Sequence, residues 1–216
     1  MDPVSRLVDR IAAIGRDTSR PVLVAIDGGS GAGKSTFARR VGDELGAAVI
    51  DGDDFYAGGT AAEWDAMSAA EKADHCIAWR RQLPVLEALA RGEPGSWHRY
   101  DWDVDDGRLV EQDTLCRPAP VVILEGVYSA RPELSDLFDL RVLYEAPADI
   151  RRRRIVEREG EDHRTEWNAR WEEAERWYFT EVMPPGAFDL VVSAVGTMPT
   201  VIAPGQLPDQ ETQEPS

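Results

Sequence analysis

Five apolar runs, separated by stretches of helical period, organise the chain. Residues 21–27, PVLVAID, are β-branched and apolar without alternation, the pattern of a strand covered on both faces. A helix is expected over 34–45, a second short strand in 47–54 (AAVIDGDD), and a helical stretch over 68–92 in which Pro84 predicts a kink or a division into two helices. Residues 95–115 alternate aromatic and polar positions around the turn signal Asp105-Asp106-Gly107, and predict a hairpin or loop. Further strands are expected in 119–129 (APVVILEGVYS), 139–147 (DLRVLYEAP) and 187–194 (AFDLVVSA). Between the last two lie an arginine-rich helix beginning near Ala148 and another over about 164–182. Strands alternating with helices imply an α/β fold, a five-stranded, mainly parallel sheet wrapped on both faces.

The first 17 residues place Val4, Leu7, Val8, Ile11 and Ile14 on one face of a helix, which reads as a helix packed on the domain rather than a signal peptide. The 216 residues suit one domain over 1–203, with a small lid at about 148–163. The tail 204–216 (PGQLPDQETQEPS) lacks apolar residues to pack and is expected to be disordered. There is no internal repeat, and no apolar run approaches the roughly 20 residues that cross a bilayer.

Charge narrows the partners. A net charge of −16 repels nucleic acid and anionic lipid, so neither is expected, and a phosphate-bearing ligand needs a local reversal of charge. Cys76 and Cys116 form no CxxC pair, which argues against a metal or redox framework and fits a reducing cytoplasm.

That reversal is expected at Gly28-Gly29-Ser30-Gly31-Ala32-Gly33-Lys34-Ser35-Thr36. The stretch matches G-x-x-x-x-G-K-[ST] and stands between a buried strand and a helix, the context the motif requires. Glycines let successive N–H groups converge on an anion, and the helix N-terminus adds partial positive charge. Lys34 is placed to reach the β- and γ-phosphates, Ser35 to ligate Mg²⁺, and Thr36 to hold the nucleotide near its α-phosphate. A P-loop NTPase fold with ATP and Mg²⁺ as cofactors follows as an expectation. Ligands in such sheets sit beyond the carboxyl ends of the strands, where Asp51, Asp53, Asp54 and Glu125 are also delivered. Glu125 suits Mg²⁺, directly or through water. One of the aspartates suits the role of general base towards a hydroxyl, while the others suit caps or surface charge.

These residues resemble the uridine kinase family of P-loop nucleoside kinases, within the phosphoribulokinase/uridine kinase group. The segment Asp51–Tyr56, DGDDFY, resembles the family's QDSFY-type stretch, which implies Asp53 as the base and Phe55-Tyr56 as its aromatic pair. Tyr100-Asp101-Trp102-Asp103 resembles a YDFD-like segment whose tyrosine and aspartate line the nucleoside site. The resemblance thus implies an acceptor site at Asp53, Tyr56, Tyr100, Asp101 and Trp102. ILEGVYSA resembles the ILEGI-type strand, with Glu125 near the metal. DIRRRRIVERE, from Asp149, resembles the lid helix and puts Arg151, Arg154 and Arg158 on its arginine positions. The motifs keep family order over about residues 22–193. Two departures concern the acceptor. Asp105 or Asp106 stands where the family has a base-contacting histidine, and the segment supplying a ribose-binding aspartate has only Asp74 as an approximate counterpart.

Arg151, Arg154 and Arg158 share a helix face by their i, i+3, i+7 spacing, while Arg152 and Arg153 point elsewhere. The shared face suits closure over a triphosphate, with water excluded. Trp167, Trp171 and Tyr178 form a helical stripe that reads as core, whereas Trp64, Trp97 and Trp102 are placed in loops near the acceptor. His75, His98 and His163 have no partners at useful spacing. The expected activity is phosphorylation of a small-molecule hydroxyl on a nucleoside; a sugar, a vitamin precursor or a nucleoside antibiotic stays open as acceptor, and the protein is compatible with a homo-oligomer. A nucleotide switch would need a guanine-reading N-K-x-D, and the chain has none.

Overall fold

The computed structural model describes residues 2–160, 165–194 and 200–202. Helix α1 (Pro3–Arg16) begins with proline, whose fixed φ and missing N–H suit a first helical turn. It buries Val4, Leu7 and Ile11. Strand β1 (Val22–Asp27) is buried at every position, as its uninterrupted apolar run requires. Val22, Val24 and Ile26 join α1 and α2 (Lys34–Leu45) in one core. Leu23 and Ala25 point to the opposite core, with Leu86, Leu89 and Trp171. The period of two along β1 thus supplies both faces of the sheet.

Next come β2 (Ala48–Asp51), α3 (Ala61–Asp65), α4 (Ala69–His75), α5 (Trp79–Ala90), β3 (Gly95–Trp97), β4 (Thr114–Cys116) and β5 (Val121–Glu125). The chain continues with β6 (Leu140–Glu145), α6 (Ala148–Glu159), α7 (Thr165–Trp177), β7 (Leu190–Ser193) and β8 (Thr200–Ile202). Sheet order is β2-β5-β1-β6-β7-β8. The pairs up to β7 are parallel. β8 adds a sixth strand, antiparallel to β7, which corrects the expectation of five. Its three residues form a segment too short to read as a strand by period.

The helical stretch does divide, but not at Pro84. Residues 76–78 pair with the loop after β2, Ala57 N–H donating to the Cys76 carbonyl at 2.9 Å and Ala78 N–H to the Phe55 carbonyl at 2.8 Å. Pro84 sits inside α5. The start of α4 was legible, because Ser68 and Glu71 form a reciprocal capping box. β3 and β4 form the expected hairpin, antiparallel and joined by a long connection. α7 passes into a π-helical turn at Tyr178–Val182, where one continuous helix was expected. Trp64 lies in α3 and Trp97 in β3, both buried rather than in loops; of the three tryptophans only Trp102 is loop-borne and exposed. Three further expectations fall on residues outside those described: the lid beyond 160, the tail from 204, and His163.

Candidate active site

Parallel register brings the chemistry to one edge. Asp51 of β2 pairs with Glu125 of β5, and Ile26 of β1 pairs with the same Glu125. Asp27, Glu125 and Asp51 therefore end three adjacent strands at their carboxyl edge, above which lie the glycine loop and Asp53.

The loop is built so that side chains would fill it. A Cβ on Gly28, at φ +147°, would lie 2.1 Å from the Tyr144 carbonyl oxygen. One on Gly31, at φ +74°, would lie 2.5 Å from the Arg151 carbonyl oxygen. Glycine alone takes these conformations without strain, so the cradle of backbone groups stays open for an anion. Lys34 is buried and its Nζ donates to the Gly29 carbonyl at 3.0 Å. Thr36 and Gly33 border a second cleft lined also by Phe37, Arg40, Tyr144 and Arg154.

The three aspartates at the end of β2 and just beyond it separate by their partners. Asp51 accepts from Asp53 N–H at 3.0 Å and caps the following turn. Asp54 accepts from Trp97 Nε1 at 2.8 Å. The Asp53 carboxylate faces a cavity of about 240 Å³. Crowding by protein and then Asp51 push its pKa up to about 6, while Lys34 and Arg158 pull it down. Solvent still reaches this side chain, so the upward direction is the part that matters for its chemistry. Glu125, by contrast, is only 3% exposed. Burial, then Asp51, drive its pKa up to about 7 against Lys34 and a hydrogen bond from Ser35.

A carboxylate joined to a hydroxyl is a hard-oxygen pair suited to Mg²⁺. Among the described residues no group of three or more His, Cys, Asp or Glu is arranged as a metal cage.

The arginines of α6 converge on the loop. Arg151 donates to the Ser30 carbonyl at 3.1 Å, and Arg154 to the carbonyls of Gly31 and Ala32. Arg158 lines the Asp53 cavity. Arg152 and Arg153 instead pair with Glu172 and Glu157, as their place on the helix implied.

Several residues escaped the sequence. Glu175, on α7 and 3% exposed, accepts from Ser30 N–H at 3.1 Å, from the Ser30 hydroxyl at 2.5 Å and from Arg151 at 3.0 Å. It ties the glycine loop, α6 and the cavity together. Within an acid-rich helix nothing marked it except its position four residues after Trp171, which lines the same cavity. Tyr56 and Trp102 stack at 5.0 Å and both line the cavity. Tyr100 and Asp101, expected beside them, are not among the residues that line this cavity. The Tyr100 hydroxyl donates to Asp105 at 2.8 Å, and Asp101 accepts from Asp103 and Val104 N–H within its own turn. Asp74, the approximate counterpart of a ribose-binding aspartate, is paired with Arg131 at 2.8 Å.

Asp27 is the buried clamp beneath the site. It accepts from Gly28 N–H at 2.7 Å, Tyr128 N–H and Ala130 N–H at 2.9 Å, and the Tyr178 hydroxyl at 3.0 Å. Burial pushes its pKa up to about 6, against these hydrogen bonds and Lys34. Asp27→Ala leaves three backbone donors and a phenol without their acceptor. We expect it to cost about 4 kcal/mol, since each unsatisfied buried group costs roughly 1–3. Urea unfolding checks this, and a loss below about 1 kcal/mol would mean that the turn finds other partners.

Residues 23–166 match the model of the phosphoribulokinase/uridine kinase family. The chain belongs to this family. Among curated members, the uridine kinase of Clostridium perfringens (strain SM101 / Type A) is 31% identical over 138 residues, covering 61% of this chain and 65% of the relative. The uridine kinase of Halobacterium salinarum is 31% identical over 143 residues, covering 63% and 61%. The chain thus matches less than two thirds of the length of these phosphoribulokinase/uridine kinase relatives. Two solved structures share the fold. A "possible uridine kinase" from Bacillus stearothermophilus superposes with a TM-score of 0.60 at 20% identity, over 86% of this chain and 98% of that one. The D-glycerate 3-kinase of Cryptococcus neoformans var. grubii superposes with 0.64 at 13% identity, over 93% and 98%.

Proposed function

We propose that this protein transfers the γ-phosphoryl group of ATP, with Mg²⁺, to a hydroxyl of a nucleoside-like small molecule. The observation that carries the reading is the position of Asp53, free of a capping role, on the wall of an aromatic-lined cavity that also reaches Ser30 of the phosphate loop. Membership of the phosphoribulokinase/uridine kinase family supports it.

Each residue then has a task. The loop amides and Lys34 hold the donor phosphates, and the cleft at Gly33, Thr36, Arg40 and Arg154 suits the donor's nucleoside end. Ser35 and Glu125 would hold Mg²⁺, which when bound supplies neutralisation of phosphate charge. Asp53, with its proton affinity raised, accepts the acceptor's hydroxyl proton as the oxygen attacks. Arg151, Arg154 and Arg158 meet the charge that spreads over the transferring group, and the closed lid keeps water from competing. The stacked Tyr56–Trp102 wall favours a flat ring over a small acyclic acceptor.

An acceptor panel tests this. Purified protein with Mg-ATP is offered uridine, cytidine, a free sugar, D-glycerate and a vitamin-precursor alcohol, and ADP release is followed. A nucleoside should stimulate release at least about tenfold over the acceptor-free rate. Stimulation by the sugar or the vitamin precursor alone would move the acceptor to that class. A flat response to every hydroxyl would remove the kinase reading.

A further inference from the structure

Glu175 of α7 is buried and stands against a loop suited to phosphate, where a second anion is repelled. A buried charge is tolerated only where hydrogen bonds and opposite charge compensate it. Here the compensation is specific. Ser30 N–H donates to both carboxylate oxygens at 3.1 Å, the Ser30 hydroxyl donates to Oε1, and Arg151 Nη1 donates to Oε2 at 3.0 Å.

Those partners also bind each other. Arg151 Nη1 donates to the Ser30 carbonyl at 3.1 Å, so carboxylate, serine and guanidinium close a ring of contacts. The fit is tight: a Cβ on Gly29 would lie 2.4 Å from Arg151 Nη1 and 2.9 Å from Glu175 Oε2. Both bonds of Arg151 use one nitrogen. Among the described residues the Nε–Nη2 edge has no hydrogen-bond partner, and such an edge is a planar fork matched to two oxygens of a phosphoryl group.

The helix that carries the acid is braced. Arg170 donates to Asp65 of α3 at 2.6 Å, and Lys72 of α4 pairs with Glu173 at 3.5 Å. Ala174, next to Glu175, is completely buried in the core that also holds Trp171 and Tyr178. A side chain on a packed, cross-linked helix has little freedom left to lose, so it can fix the place of another group.

We propose that Glu175 is a positioning residue that holds Arg151 on the Ser30 carbonyl, with the open edge of the guanidinium ready for the transferring phosphoryl group. The proposal rests on the kinase reading above and deepens it: Arg151 supplies the charge, and Glu175 acts through it. An arginine tethered at one nitrogen reaches the transition state already ordered. An untethered one gives up its side-chain freedom at that moment, which lowers kcat and leaves the binding of either substrate nearly unchanged.

The test is a double-mutant cycle on Glu175→Gln and Arg151→Ala, with whichever panel acceptor gives the wild-type protein its highest kcat/KM. Glutamine keeps the size of the side chain but turns one of its two acceptors into a donor. Glu175→Gln should lower kcat about tenfold, with both KM values within about twofold. Arg151→Ala should lower kcat about a hundredfold, and adding Glu175→Gln to it should cost less than about twofold more. Glu175→Asp keeps the charge but draws it back by one methylene; it should behave alike in the same cycle, and it replaces the glutamine variant if that one does not fold. Additive losses in the double variant overturn the proposal, because the acid then acts independently of Arg151. So does an unchanged kcat in either single variant, or a rise in kcat for Glu175→Gln, which would make the carboxylate a restraint on Arg151. Each of these results leaves the kinase reading standing. If the wild type turns over none of the panel, the kinase reading fails first and this assignment falls with it.

Discussion

Asp53→Asn is expected to lower kcat by about three orders of magnitude while ATP affinity changes by less than about threefold. Asparagine keeps the size of the side chain and can still face the cavity, but it cannot take the acceptor's proton. Asp51 and Asp54 cannot substitute, being committed to Asp53 N–H and Trp97 Nε1. The same variant makes a second, opposite prediction for stability. A carboxyl whose pKa is raised from the ordinary range to about 6 binds protons more readily folded than unfolded. Its ionisation therefore weakens the fold as pH rises from about 4 through 6, and the penalty is complete above that. Asp53→Asn should accordingly melt higher than wild type at pH 8 in the absence of ligand, and the gain should vanish near pH 3.5. Kinetics, nucleotide titration and a melting series over pH check both halves. Wild-type turnover in this variant would take Asp53 out of the base role.

Lys34→Met is expected to be nearly as severe, with activity lost by at least about a thousandfold and ATP affinity weakened by about tenfold or more. The reason lies in the site's charge balance. Lys34 pulls down the pKa of Asp27, Asp53 and Glu125 alike, so one buried ammonium supports three acids at the sheet edge. Methionine keeps the apolar stem and removes the charge. The acids then hold their protons to higher pH, and the loop loses the cation facing the phosphates. Stability of the ligand-free variant should fall more steeply than that of wild type between pH 6 and 8. A variant that bound ATP as well as wild type would show that the loop amides suffice without the lysine.

The phosphate loop was legible because its requirement is local. A strand, glycines in conformations that other residues adopt only under strain, and a lysine opening a helix follow one another between Val22 and Lys34. The arginine face of α6 was legible for a similar reason, since helical geometry alone puts Arg151, Arg154 and Arg158 together. Tyr100 and Asp101 show the opposite case. Their segment reads as acceptor-lining, but Asp105 takes the tyrosine hydroxyl and the Asp101 carboxylate closes its own turn. That choice depends on how a loop folds back, which no spacing specifies. Asp27 read simply as the end of an apolar strand. Its role appeared only when Tyr128, Ala130 and Tyr178, about 100 to 150 residues away, donated to it.

The sequence by itself determined the α/β class, the family and the glycine loop between β1 and α2, because period, glycine positions and motif order are properties of neighbouring residues. Tertiary structure alone decided which of three neighbouring aspartates lines the cavity, and that Glu175 bridges the glycine loop and α6. These outcomes turn on hydrogen bonds between segments far apart in the chain. Such contacts become readable only once the parallel strands have brought their carboxyl ends to one edge.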